Sequence, residues 1–340
     1  MKAITCSAYG APDDVLRLDD VGEPEVADDE VLVQVHAASV NPVDWHLVRG
    51  TPYIARLKFG LRTPKVRIPG SDVAGTVRAV GRNVTTLEPG DEVFGTSFMR
   101  GFGAFAELVS VPEALVVRKP APLTFDQAAA VPLAASTAMQ ALRDHGRVRA
   151  GQHVLIVGAS GGVGTFAVQI AKSFGAEVAA VCSSRNLELV RSLGADHLID
   201  YTKDEFTAGG RRFDLILQAA GAHSAAACRR ALVANGTLVQ ISGDSTNRWI
   251  GPLGRIAAAG LLSPFVRQRV TSFTVQPNRN DFLLLAELLE RGTVSPVIDR
   301  SYPLSEVPAA VRHVEEGHTR GKVVVTVLPP TTPHQPTHRS

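Results

Sequence analysis

The run His153-Val154-Leu155-Ile156-Val157-Gly158-Ala159-Ser160-Gly161-Gly162-Val163-Gly164 constrains the fold of this chain more than any other stretch. Its apolar residues read as a buried strand, its glycines as a tight turn, and Val163 to Phe174 as the helix that the turn opens. A second strand, Glu177 to Cys182, follows at the spacing of a βαβ unit. This order suits a pyrophosphate. Glycines let the backbone approach the phosphates, and the free N–H groups and dipole of a helix N-terminus meet the negative charge. Ala159 replaces the first glycine of the usual G-x-G-x-x-G, a tolerable change. Ser160, Gly161, Gly162, Val163 and Gly164 are therefore candidate cofactor contacts, and the alternative is a glycine-rich turn with no ligand.

The end of the second strand selects the dinucleotide. Sites that prefer NAD carry Asp or Glu about 20 residues after the motif, against the ribose 2′-hydroxyl. This chain has Cys182-Ser183-Ser184-Arg185 and no carboxylate until Glu188, within the next helix. A carboxylate repels a 2′-phosphate, whereas hydroxyls and a guanidinium bind one through charge-assisted hydrogen bonds. The reading is NADPH, with Arg185 as a solvated first-turn residue the alternative.

The length of 340 residues predicts two domains. With 35 Lys+Arg against 33 Asp+Glu, no basic footprint for nucleic acid or a membrane anchor is expected. Cys6, Cys182 and Cys228 stand far apart, which fits a reducing compartment and neither a disulfide framework nor a cysteine-rich zinc site. The N-terminus lacks a signal peptide's apolar core, and the longest apolar region, Ile256 to Val266, is too short to span a bilayer. A cytoplasmic location is the expectation.

The first ~120 residues read as β-rich, with runs such as Val31 to Ala37 and Val73 to Val80 punctuated by Gly, Pro and Asp, more like a compact barrel than βαβ units. Thr124 to Gly146 is helical in pattern. Strands then alternate with helices: His153–Val157, Glu177–Cys182, His197–Asp200, Phe213–Gln218 and Thr237–Ile241 predict a parallel, doubly wound sheet. The ligand of such a sheet lies at the carboxyl ends of the strands, where Ser160, Ser183, Gly221 and Gly243 fall. Trp249 to Phe273 breaks the rhythm. The tail from Pro329, with His334 and His338, is expected to be disordered and solvated.

Together these pieces resemble the medium-chain dehydrogenase/reductase superfamily, and within it the zinc-independent quinone oxidoreductase-like branch. The resemblance runs from Met1 to about Leu328. It is carried by Ala38-Ser39-Val40-Asn41-Pro42-Val43-Asp44-Trp45, Pro69-Gly70-Ser71-Asp72-Val73-Ala74-Gly75, Pro89-Gly90-Asp91-Glu92-Val93-Phe94-Gly95, Gly103-Ala104-Phe105-Ala106-Glu107, Ala129-Ala130-Val131-Pro132, the glycine turn, and Gly321-Lys322-Val323-Val324-Val325. It implies a GroES-like β-barrel catalytic domain, built from residues 1–123 and 271–328, around a Rossmann NADP-binding domain at 124–270, with 329–340 as the tail. It also implies a homodimer paired through edge strands of the nucleotide domains.

The resemblance bears on metal as well. Zinc-dependent members carry a Cys where this chain has Asn41, a His-Glu where it has Ser71-Asp72, and a third ligand around Ser136 and Thr137. Catalytic zinc needs three Cys, His or carboxylate ligands. Only Asp72 qualifies, so no metal is expected, and Asp44 and Asp72 read as loop-holding acids. Without a Lewis acid for an alkoxide, hydride transfer favours an activated acceptor, a quinone or an α,β-unsaturated carbonyl.

For the substrate side the resemblance points to Asn41 beside the nicotinamide ribose, Tyr53 as a proton or hydrogen-bond donor, and Thr137 near the carboxamide. Packing roles are the alternatives for Tyr53 and Thr137. Trp45 and Trp249 read as core residues more than as stacking platforms. For the 2′-phosphate it points to Ser183, Arg185 and Tyr201, and near the cofactor to Gly221, Gly243, Arg320 and Lys322, with surface charge the alternative for the last two. Gln218-Ala219-Ala220-Gly221 departs from the acid usual in relatives at the end of the fourth strand. The basic loop Arg49 to Arg67 reads as a solvated rim. Competing readings are a metal-free NADP-dependent alcohol or aldehyde dehydrogenase, and an NADPH-binding sensor or interaction protein with little turnover.

Overall fold

The computed structural model describes residues 1–98, 100–208, 210–221, 223–241, 249 and 267–328. The Gly243 position, the Ile256 to Val266 region and the tail 329–340 lie outside the described residues.

Six strands form one parallel sheet: β8 (His153–Val157), β9 (Glu177–Cys182), β10 (His197–Asp200), β11 (Phe213–Gln218), β12 (Leu232–Gln240) and β13 (Arg269–Ser272). Their order is β10-β9-β8-β11-β12-β13, the doubly wound arrangement expected from the alternation. Strands covered on both faces lose the in–out alternation, and β8 and β9 are buried at every position but the first. Helix α6 (Gly162–Ser173) and the shorter α7 (Leu187–Ser192) and α8 (Ala225–Arg230) make the crossovers. Phe166, Ile170 and Val168 of α6 have no exposure, and burying each such side chain stabilises by roughly 1.5–3 kcal/mol. The order reverses between β8 and β11, so the crevice opens beyond Val157 and Gln218.

The second sheet contains both ends of the chain. It runs β14-β15-β3-β4-β5-β7, with β6 also on β3. The members are β3 (Glu30–Val40), β4 (Asp72–Val80), β5 (Glu92–Thr96), β6 (Leu108–Pro112), β7 (Val116–Arg118), β14 (Ile298–Pro303) and β15 (Lys322–Thr326). The register of β3 against β4 shifts twice, between Leu32 and Val33 and between Val35 and Ala37. Such irregularities bend a strand. Here they let one end of β3 pair with β6 while the other pairs with β15. A hairpin of β1 (Lys2–Cys6) and β2 (Leu16–Asp20) lies alongside, with Ile4 N–H donating to Phe105 O. The short run Lys2–Cys6, which lacks a signal peptide's apolar core, is thus a strand that the sequence pattern does not single out.

Among the described residues, helices α1 (Pro12–Val15), α2 (Pro42–Arg49) and α3 (Arg56–Phe59) interrupt the N-terminal part of this half, and a helix at Val307–Glu315 separates β14 from β15. Two more, α4 (Phe125–Ala129) and α5 (Pro132–Gln140), lead to the parallel sheet. All nine residues of α5 are buried. Its small and apolar residues offer no polar face, so neighbours surround it. The Leu133 N–H donates to Asp72 at its start, and Gln140 bonds Asp281 and the Gln276 carbonyl at its end. One continuous core therefore runs from Val33 and Phe94 through Ala138 to Phe166.

Candidate active site

The glycine turn sits at the crevice. Gly158 has φ 84°, a conformation that favours glycine, and a Cβ there would come within 2.6 Å of the Ala220 Cβ. At Gly164 a Cβ would lie 2.1 Å from the Gly158 carbonyl oxygen, so the turn closes onto the helix only without a side chain. Gly161 is different: a Cβ would meet nothing nearer than 3.5 Å, and this residue caps α6 without a side-chain hydrogen bond. The Cβ position of Gly161 thus lies clear of its neighbours and no side chain caps the first amides of α6, an arrangement that suits an anion.

The C-terminal turn closes over the start of α6. Gly321 N–H donates to Ser160 O at 2.9 Å, and Gly161 and Gly321 form an isolated bridge. At the outer rim, Arg185 Nη2 donates to His318 O, so that guanidinium lies against the turn that carries Arg320. Arg185 and Arg320 are exposed, Ser183 is half-buried and Tyr201 is 58% exposed, its N–H on Cys182 O. These four occupy neighbouring positions on β9, β10 and the final turn. Gly221 has φ 84° and follows Gln218, whose Nε2 donates to the Gly221 and His223 carbonyls. The departure at Gln218 is thus a side chain turned inward to hold the loop, supported by Gln240 at 2.8 Å.

Two residues of this rim escaped the sequence reading. Asn186 is buried and donates to Ser160 Oγ at 2.9 Å and Ser183 Oγ at 3.3 Å, joining the turn to the end of β9, while its Oδ1 has no partner. Asp200 pairs in register with Cys182, so a carboxylate does stand beside the second strand, delivered by β10 rather than by β9. Ser184 Oγ and Thr202 donate to it and Lys203 lies 3.6 Å away. The Ser184 and Thr202 hydrogen bonds hold its acid constant down at about 2, and its lone pairs are engaged within the protein.

The second cluster is closed. Asn41 caps α2, where Asp44 accepts from its N–H at 2.7 Å and from Gly70 N at 3.2 Å. Asn41 Nδ2 donates to Asp72 Oδ2 at 2.8 Å and Ser71 Oγ at 3.4 Å. Ser39 Oγ adds a third donor to Asp72. Lys322, only 3% exposed, sends its Nζ to Asn41 Oδ1 at 2.6 Å and Val40 O at 3.2 Å, 3.8 Å from Asp72. Burial pushes Asp44 up to about 7, against the Asn41 and Gly70 amides. Burial also raises Asp72 and lowers Lys322, each opposed by the other's charge.

Several expected roles shift accordingly. The amide of Asn41 is committed on both sides and has no donor left for a ligand. Thr137, on α5, donates its hydroxyl to Leu133 O at 2.6 Å, the packing alternative, while Ser136 Oγ beside it is buried without a partner. Lys322 is neither surface charge nor rim: it lies inside. Tyr53 is half-buried, edge-on to Trp249 with ring centroids 5.2 Å apart, and Arg56 lies over its ring. Trp45 packs against the core and stacks on His46, as read, but Trp249 is 72% exposed, contrary to its reading as a core residue. The basic loop is not wholly a solvated rim, since Arg49 forms a bidentate pair with Glu315 and Arg56 donates to Gly50 O.

A family model described as an alcohol dehydrogenase GroES-like domain matches residues 27–121, the part that builds most of the curved sheet. One described as a zinc-binding dehydrogenase matches residues 193–325. The chain is 37% identical over 341 residues to a 2-methylene-furan-3-one reductase of Solanum lycopersicum, covering 97% of this chain and 80% of that protein. It is 36% identical over 345 residues to a chloroplastic NADPH-dependent alkenal/one oxidoreductase of Arabidopsis thaliana, with the same coverage of each. Among solved structures, the quinone oxidoreductase of Coxiella burnetii superposes with a TM-score of 0.83 at 32% identity, over 96% of this chain and 99% of that one.

The zinc in that second description finds no fit here. The positions matching the ligands hold an amide, a hydroxyl and one carboxylate, and a lysine ammonium reaches into them. Among the described residues no three His, Cys, Asp or Glu side chains converge.

Proposed function

Because the chain belongs to the medium-chain dehydrogenase/reductase superfamily, in its quinone oxidoreductase-like branch, we propose that this oxidoreductase uses NADPH to reduce a quinone or an α,β-unsaturated carbonyl without zinc. The observation that supports the reading is the pairing of Gly161 with Gly321, which sets the uncapped N-terminus of α6 beside a buried cluster built around an ammonium.

The bound nicotinamide supplies the hydride. The chain's own part begins with the N-terminus of α6, which holds the diphosphate through backbone amides. Arg185 and Arg320, with Ser183 and Tyr201, ring the place of the 2′-phosphate. Two guanidiniums there outweigh Asp200, whose oxygens are already taken by Ser184 and Thr202. Reduction of an activated double bond leaves an enolate or phenolate, which needs a donor and a proton but no metal. With Asn41 and Thr137 committed internally, Tyr53 is the hydroxyl assigned to that task. A reductase of this kind also agrees with the activities for which the tomato and Arabidopsis relatives are named.

The test is a purified protein mixed with NADPH and, in turn, a quinone, an enone and an aldehyde, followed at the nicotinamide absorbance with and without a chelator. Oxidation of NADPH by the quinone or enone at an unchanged rate in chelator is expected. Activity that the chelator abolishes would refute the metal-free reading, and tight NADPH binding with no turnover on any acceptor would refute the reductase.

A further inference from the structure

Lys322 opens β15 immediately after Gly321, whose φ of 94° and close approach to the Val297 carbonyl, 2.3 Å from a Cβ placed there, admit only glycine. The chain therefore turns inward at a fixed point and delivers the next side chain into the protein. The stem of Lys322 passes the cofactor turn: a Cβ on Gly162 would come 3.1 Å from its Cδ. The ammonium ends on Asn41 Oδ1 and the Val40 carbonyl, with Asp72 at 3.8 Å.

Charge dictates the orientation of Asn41. Its oxygen faces an ammonium and its NH2 faces a carboxylate. A flipped amide would set two donors against each other on one side and two acceptors on the other. Asp72 and Lys322 impose the same orientation from opposite sides, and both are buried, so each offsets part of the other's desolvation. By the resemblance, Asn41 and Ser71-Asp72 stand where zinc-dependent members carry metal ligands; here the Lys322 ammonium lies 2.6 Å from Asn41 Oδ1 and 3.8 Å from Asp72, covalently part of the chain and arriving from the far end of the sequence.

We infer that Lys322 is the internal cation of this active site: it takes the place of the metal, holds Asn41 in one orientation, and ties that residue to the glycine turn. It is a positioning residue, acting through Asn41 and Gly162 rather than on the acceptor. The inference deepens the proposed reductase and rests on it only for the kinetic half of its test.

That test is a cycle of three proteins, Lys322→Met, Asp72→Asn and the double variant, measured first by thermal melting without substrate. Each single change strands a buried charge and is expected to lower Tm by about 4 °C or more, while the double variant recovers most of the loss. NADPH affinity, read by quenching of protein fluorescence, is expected to stay within about threefold of wild type in the double variant. Its kcat with methyl vinyl ketone is expected to fall about tenfold or more at a nearly unchanged KM, the split of a misplaced active-site group. Tm losses that simply add would overturn the internal pair, and a stable double variant with wild-type kcat would overturn the positioning role. If wild type itself turns over no acceptor, the proposed reductase fails, and the melting cycle alone decides whether Lys322 and Asp72 are coupled.

Discussion

The cofactor crevice and the cluster beneath it are built on opposite principles. At the glycine turn the protein removes side chains, so that backbone closes on backbone and no side chain caps the first amides of α6. Around Asn41 it crowds polar side chains together until each group answers another. The first region is tuned by shape, since what matters is where no Cβ intrudes. The second is tuned by charge, since one ammonium stands against two carboxylates. The contact of Lys322 with Gly162 and the pairing of Gly161 with Gly321 join the two.

The contrast breaks most visibly at Gly164. In Gly164→Val the new Cβ lands on backbone, the Gly158 carbonyl, which cannot move aside as a flexible side chain can. Loss of NADPH binding by about a hundredfold or more and a clear drop in Tm are expected, measured by titration and melting. Retained affinity would show that the turn tolerates bulk and that shape is not its principle.

A charge-tuned cluster predicts a pH signature at Asp44. Because its carboxyl is raised from 3.8 to about 7, the folded state holds that proton more tightly than the unfolded chain does. Stability therefore falls as pH rises from about 4 to about 7 and levels off above, with a slope of at most about 1.4 kcal/mol per pH unit from one group. Asp44→Asn should flatten that part of the Tm–pH profile. An unchanged slope would mean that Asp44 is ionised throughout and that the cluster carries its charge differently.

The smallest effect sharpens the comparison at the rim, where the proposed contacts come from side chains and not from backbone. Arg185→Ala should weaken NADPH about tenfold and NADH hardly at all, about 1.4 kcal/mol and near the lower end of what a hydrogen bond to a charged group contributes. Equal weakening of both would remove the phosphate role and leave Arg185 as the strap on His318 O.

The sequence revealed one of these regions well and the other poorly, and distance along the chain explains why. The turn, α6 and the strands β8 and β9 are contiguous, so periodicity and glycine spacing describe them directly. Asp200 shows the first failure: the carboxylate beside Cys182 comes from the neighbouring strand, which a search along β9 cannot reach. Lys322 shows the second. A lysine next to a glycine reads as a surface or phosphate-binding cation, and its actual partner, Asn41, is 281 residues away. Trp249 fails differently, because a large aromatic is read as core by composition, while its exposure is settled only by its neighbours. Asn41 was placed beside the nicotinamide ribose by resemblance, although an Asn before Pro42 with an acid three positions later is the signature of a helix cap that the structure shows.

The placement of β15 also orders the birth of the molecule. A ribosome releases the six-stranded sheet in full once Ser272 has emerged, but the Ala37–Val40 stretch of β3, beyond the part that β6 covers, keeps its edge bare until Val323–Thr326 follows. For that interval the nascent chain carries a finished nucleotide module beside an unclosed barrel, whose bare edge can recruit strands from other chains. The residues that seal this edge are the same ones that bring in the ammonium, so the protein acquires its internal cation only at the last step of its own closure.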